Sequence, residues 1–207
     1  MFTITLSIIV LTCLISFSAF NNSKIQDELI FWPPAVSMRH QYYRFLTCGF
    51  IHADIMHLVF NMFTLYFFGR YMEAHFVGEL DLPHYSFLIM YLGAIIVANI
   101  PTYFKKKDDY NYRSLGASGG VCAVLFAFIL LRPWELIQII IIPVPAIVYA
   151  GLFLFYSSYM SKRGGDNVNH DAHIWGAIFG VVYMILSKPY IIEIFLNELK
   201  HPRFGNF

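Results

Sequence analysis

The stretch Gly116-Ala-Ser-Gly-Gly-Val-Cys-Ala-Val-Leu-Phe-Ala-Phe-Ile-Leu-Leu131 decides how this chain is to be read. A serine set among glycines opens it, and no charge follows until Arg132. Ser118 to Leu131 is 14 residues, about 21 Å as a helix, against a hydrocarbon core of about 30 Å. If the Leu131 end reaches one membrane face, Ser118 lies below the other, at a helix start whose backbone N–H groups are free. Its small neighbours leave the hydroxyl uncovered and let another backbone approach.

Working outward, the composition agrees. Of 207 residues, 58% are hydrophobic and 13% charged, against about 25% charged in a soluble domain. This is the composition of an integral membrane protein. A net charge of +1 gives no electrostatic case for nucleic acid as a partner; the lipid bilayer is the partner implied. Cys13, Cys48 and Cys122 lie in apolar or mostly apolar sequence without C-x-x-C spacing, and so read as packing residues.

Apolar runs broken by charges, prolines and polar loops predict an all-α integral membrane protein, a compact bundle of six transmembrane helices in one domain, residues 1–207. The spans are 3–20, 54–72, 85–104, 118–131, 143–160 and 171–186, with a short amphipathic, interfacial helix at 190–199. No Lys or Arg precedes the first run and no clear A-x-A site follows, which argues against a removable signal. Residues 21–44, carrying Phe31, Trp32, Pro33 and Pro34, read as a connection in the membrane interface. Asp54 is placed to cap the second helix. Pro143 and Pro145 set the start of the fifth span, after an interfacial piece from Leu136.

With six spans, the residues that open spans two, four and six share one side: His57, Ser118 and His173. Three polar groups at similar depth are costly unless they meet one another or water. A serine beside an imidazole can perform acyl transfer, the imidazole taking the hydroxyl proton and returning it to the leaving amine. His57 and Asn61, four apart on one helix face, and the Ser118 backbone N–H are donors for an oxyanion. Taken singly, each feature has a plainer use: the glycine cluster and Asn61 in helix packing, His173 as a satisfied interior histidine, His52 solvated at the water edge.

Rival chemistries fit less well. G-x-S-x-G hydrolase elbows need a preceding strand, and Lys105–Arg113 reads as a polar loop. No H-E-x-x-H is present, and His52 and His57, five apart, cannot face one point on a regular helix, so no metal is expected. Paired aspartates deep in spans are absent from the sequence, and a transporter would show paired broken helices in matching halves.

The combination resembles the rhomboid family of intramembrane serine proteases. The likeness runs from about Tyr43 to Lys188 through Arg44-Phe-Leu-Thr47, His52, His57-Leu-Val-Phe-Asn61, Gly69, Glu73, Gly116-Ala-Ser118-Gly119, Ala172-His173-Ile-Trp-Gly176 and Gly180. The resemblance implies a Ser118 nucleophile with His173 as general base, no acid and no cofactor. It further implies an oxyanion hole lined by His57 and Asn61, and structural roles for Glu73, Gly116, Gly176 and Gly180. Two positions depart from the family. Tyr43-Arg44 stands where Trp-Arg is usual. Cys122 occupies the position, four after the nucleophile, where some members place a tyrosine stacked on the catalytic imidazole. The implied substrates are transmembrane segments of other membrane proteins, and the implied setting is the plasma membrane of a bacterium with the active site facing outward. A catalytically silent relative that binds or chaperones membrane segments is the alternative, although such relatives usually lack the serine or the histidine.

Overall fold

The computed structural model describes residues 3–139 and 141–202. Its organising element is α8 (Ser118–Leu131), whose residues from Gly119 to Leu131 are all buried. Such a helix, apolar on every side, is stable only when enclosed by others. Around it stand α1 (Ile4–Phe20), the α5–α6 rod, α7 (Ser86–Lys106), α9 (Ala146–Arg163) and α10 (His170–Ser187). The rod is α5 (Ile55–Thr64), a π turn at Leu65–Gly69 and α6 (Arg70–Gly78). Between α1 and α5 the chain forms α2 (Ser23–Leu29), α3 (Pro33–Arg39), α4 (Arg44–Thr47) and a 3₁₀ turn at Cys48–Phe50.

Polar contacts define two ends. At one, the Glu73 carboxylate accepts the Ile4 and Thr5 backbone N–H groups at 2.7 and 2.9 Å, two of the orphan donors that open α1. Arg132 donates to the Tyr71 hydroxyl at 2.8 Å nearby. At the other end, Asp54 caps α5 by accepting the His57 N–H at 2.8 Å. There too, Lys105 of α7 pairs with Asp171 of α10 at 2.7 Å, and Ser161 of α9 donates to that same carboxylate at 2.6 Å. Ser118 begins at this second end.

Several expectations need correction. The chain is not wholly helical: β1 (Leu136–Ile139) and β2 (Ile142–Pro145) form an antiparallel hairpin with Leu136 opposite Pro145. The fifth helix therefore starts at Ala146 rather than at residue 143, because the prolines occupy the strand. The hairpin base is held by Ala146 N–H to Glu135 C=O and by the Trp134 indole to Glu198 C=O of α11 (Ile191–Lys200). The α5–α6 rod, expected as a second span of 54–72, extends to Gly78, and Pro101 lies inside α7, which continues to Lys106. Residues 21–44 are more built than an interfacial connection: Phe31 is fully buried and bridges to Ser114.

Among the described residues, α7 alone is long and apolar enough to cross a membrane unaided. Two bent pairs, Arg44–Phe50 with Ile55–Gly78 at 95° and α10 with α11 at 113°, raise the number to three among the described residues. Ile4–Phe20 and Ser118–Leu131 are shorter apolar helices.

Candidate active site

The loop that delivers Ser118 is fixed residue by residue. Ser114 exchanges both backbone hydrogen bonds with Phe31, Gly116 N–H donates to Cys48 C=O at 2.9 Å, and Ala117 N–H donates to His52 Nε2 at 3.4 Å. The helix then begins, with Val121 N–H bonded to Ala117 C=O. Among the described residues no side chain caps this end. The N–H groups of Ser118, Gly119 and Gly120 are thus free at the positive end of the helix dipole, where negative charge is stabilised.

Glycine is required at 116 on two grounds. Its φ of +119° is a conformation that side-chain-bearing residues rarely adopt, and the His57 ring occupies the space of a side chain. A β-carbon there would lie 2.7 Å from His57 Cε1 and 2.9 Å from Nε2. His57 Nδ1 accepts a long hydrogen bond from Ala53 N–H at 3.5 Å, so the ring proton resides on Nε2, the nitrogen beside Gly116. Asn61, buried one turn on, donates one amide N–H to His57 C=O at 2.9 Å and keeps a second in hand.

The helix that carries His173, α10, presses on the serine helix without side chains between. Gly176 and Gly180 lie on the backbone of Gly119 and Ala123, and a β-carbon at either position would collide with the carbonyl beneath it. His173, Gly176 and Gly180 are spaced three and four apart, one stripe of α10. Ser118 and His173 are both half-buried. Among the described residues no hydrogen bond joins them; such contacts often tighten only with substrate bound. The His173 ring is stacked on Phe153 of α9 (centroids 5.8 Å, 27° between planes) and meets the His170 ring edge-on at 5.7 Å. Cys122 is buried in the core, so the aromatic support comes from α9 rather than from α8. His170 in turn donates from Nε2 to Asp166 at 3.0 Å, which holds that carboxyl below its ordinary range.

Sequence reasoning missed two groups. His52 is not solvated at the water edge but fully buried, and its ring stands against His57 (4.9 Å, 77°). The five-residue offset misled because Asp54 caps the helix and leaves His52 outside it. The second group is a polar cluster behind the serine: Asn169 caps α10 through Ala172 N–H, accepts from the Thr102 hydroxyl at 3.0 Å, and donates at 3.5 Å to Asn99 and to Ser114. With Ser118 and Gly119, the residues Asn99, Ser114 and Asn169 line a cavity of about 10 Å³, the room of one water. Asn99 and Thr102, three apart in an apolar span, were the available signal.

A family model described as the Rhomboid domain matches residues 39–189. The chain belongs to the rhomboid family. It is 31% identical over 148 residues to RHOMBOID-like protein 12, mitochondrial, of Arabidopsis thaliana, covering 66% of this chain and 44% of that one. It is 31% identical over 144 residues to the presenilin-associated rhomboid-like protein, mitochondrial, of Rattus norvegicus (67% and 36%). It is 29% identical over 153 residues to the putative rhomboid protease YdcA of Bacillus subtilis (70% and 67%). The chain thus spans about half or less of the length of the eukaryotic relatives.

Proposed function

We propose that this rhomboid is an intramembrane serine endopeptidase that cuts transmembrane segments of other membrane proteins. The observation that carries the reading is the bare backbone contact of Gly176 and Gly180 on α8, which holds His173 one turn above Gly176 at the open end where Ser118 starts. In this scheme His173 takes the Ser118 proton as Oγ attacks the scissile carbonyl. The oxyanion receives hydrogen bonds from His57 Nε2–H, the second amide N–H of Asn61 and the free N–H groups that open α8. The tetrahedral intermediate collapses as the imidazolium protonates the leaving amine, and water then hydrolyses the acyl-enzyme by the same proton path. A substrate helix must unwind locally, since its carbonyls are otherwise engaged in its own hydrogen bonds.

The proposed setting is a six-span bundle of α1, the α5–α6 rod, α7, α8, α9 and α10 in a bacterial plasma membrane, the serine end outward. No cofactor is needed. The test is labelling of purified protein by a fluorophosphonate together with cleavage of a transmembrane reporter. Label should map to Ser118. Ser118→Ala, His173→Ala and the double variant should lose cleavage to the same extent, because either change disables the one proton transfer. A single variant that keeps a substantial fraction of activity would overturn the dyad, and folded wild type that neither reacts nor cleaves would overturn the protease.

A further inference from the structure

Among the described residues, His52 is the fully buried imidazole near the serine loop that the proposed chemistry does not use. Both its nitrogens are engaged. Nδ1 lies 2.9 Å from Ser16 Oγ of α1, and Ser16 Oγ is also 2.9 Å from the Phe50 carbonyl. A carbonyl only accepts, so the single hydroxyl proton goes to Phe50 and Ser16 must accept from His52 Nδ1–H. That assignment leaves the lone pair on Nε2. A lone pair is what the Ala117 N–H, 3.4 Å away, requires. Two contacts on opposite sides of the ring thus demand the same neutral tautomer.

We infer that His52, held by Ser16, is a positioning residue for the nucleophile: it anchors the Gly116–Ala117 peptide just before Ser118 and buttresses His57 in the first turn of α5. This rests on the protease reading above. The Gly116–Ala117 peptide follows a glycine at φ +119°, the position in the loop with most freedom to turn. With its N–H taken by His52, that peptide cannot rotate without losing a buried hydrogen bond. The T-shaped contact with His57 places the ring that lies over Gly116 against the same support. One imidazole therefore sets the height of the serine and the position of the Nε2–H donor relative to each other. It also carries the constraint to α1, 36 residues earlier in the chain.

The test has two arms. Imidazole ¹⁵N shifts of labelled wild-type protein should show His52 as the Nδ1–H tautomer, and Ser16→Ala should disturb that signature; an Nε2–H tautomer in wild type overturns the inference. In turnover assays on folded protein, His52→Leu fills the volume without an acceptor and should lower kcat by about 10²-fold, the cost of a misplacement of about 1 Å, with KM unchanged. His52→Gln, which returns an acceptor near the Nε2 position, should recover most of the rate. Wild-type kcat in folded His52→Leu, or equal losses in the Leu and Gln variants, overturns it. Wild type that fails to react with the fluorophosphonate sinks the protease reading and the catalytic role of His52 with it, whereas the tautomer result stands separately.

Discussion

His57 has a lone pair occupied by Ala53 N–H on one side and a proton facing Gly116 on the other, which makes it a directional donor rather than a solvated imidazole. Asn61 is similar, one amide N–H tied to its own helix and one left over. Removing a donor aimed at a developing oxyanion costs about 10²–10³ in rate. We expect His57→Ala and Asn61→Ala to lower kcat by about that range while thermal unfolding and fluorophosphonate access to Ser118 are retained. Asn61→Asp, which keeps the shape but removes the donor, should fare no better. Losses that merely follow the amount of folded protein would leave these residues as interhelical packing. Ser118, His57 and Asn61 could be proposed from the chain because their chemistry is local to a helix start or to one face of a helix. His52 could not be placed, because its partners Ser16 and Ala117 are 36 and 65 residues away and no periodicity reaches that far.

Between elements, the decisive surface is the one that α10 presents to α8. Packing in a bilayer rewards small residues that let backbones touch, and here the touching atoms are carbonyls, which cannot move aside as a side-chain tip can. Gly176→Ala or Gly180→Ala should therefore cost at least the ~1–3 kcal/mol of ordinary overpacking and should lift His173 away from Ser118. Thermal unfolding and fluorophosphonate labelling would both fall; a variant with unchanged unfolding would show that α10 can slide. The four-residue glycine spacing made this face legible, whereas the support of His173 was not. Cys122 lies four residues after Ser118 in sequence, yet the ring that stacks on the His173 imidazole is Phe153, contributed by a helix whose rotation the sequence does not specify. Phe153→Leu should lower kcat with little change in stability, and Phe153→Tyr should keep it. Equal rates for Leu and wild type would reduce Phe153 to an apolar neighbour. The hairpin at 136–145 escaped for a related reason: Pro143 and Pro145 announce that a helix cannot run there, but not that the two short segments pair.

For the whole molecule, charge and family pull in opposite directions. If the serine end faces outward, the outer side receives Lys24, Arg39, Arg44, Lys105, Lys106, Lys107, Arg113, Lys162 and Arg163, against Arg70, Arg132, Lys188, Lys200 and Arg203 inside, the last lying outside the described residues. Cytoplasmic loops are ordinarily the richer in Lys and Arg, which by itself favours the reverse. The fold gives many of the outer cations other work. Arg44 is buried and donates to Gln41, Asp27 C=O and Ile30 C=O at 2.7–2.8 Å, and Lys105 is paired with Asp171. Arg113 lies 4.1 Å from the Trp32 ring centroid, and Lys106 pairs with Asp109 at 3.0 Å. These residues hold together the loops that carry the serine, so their number reflects construction of the site as well as insertion. We expect the serine end to face outward. A cysteine at position 106, in a background without Cys13, Cys48 and Cys122, should react with an impermeant maleimide on intact cells, while a cysteine at position 200 should react only after permeabilisation. The opposite pattern would mean that the charge bias sets the orientation and that the substrate is met from the cytoplasmic face.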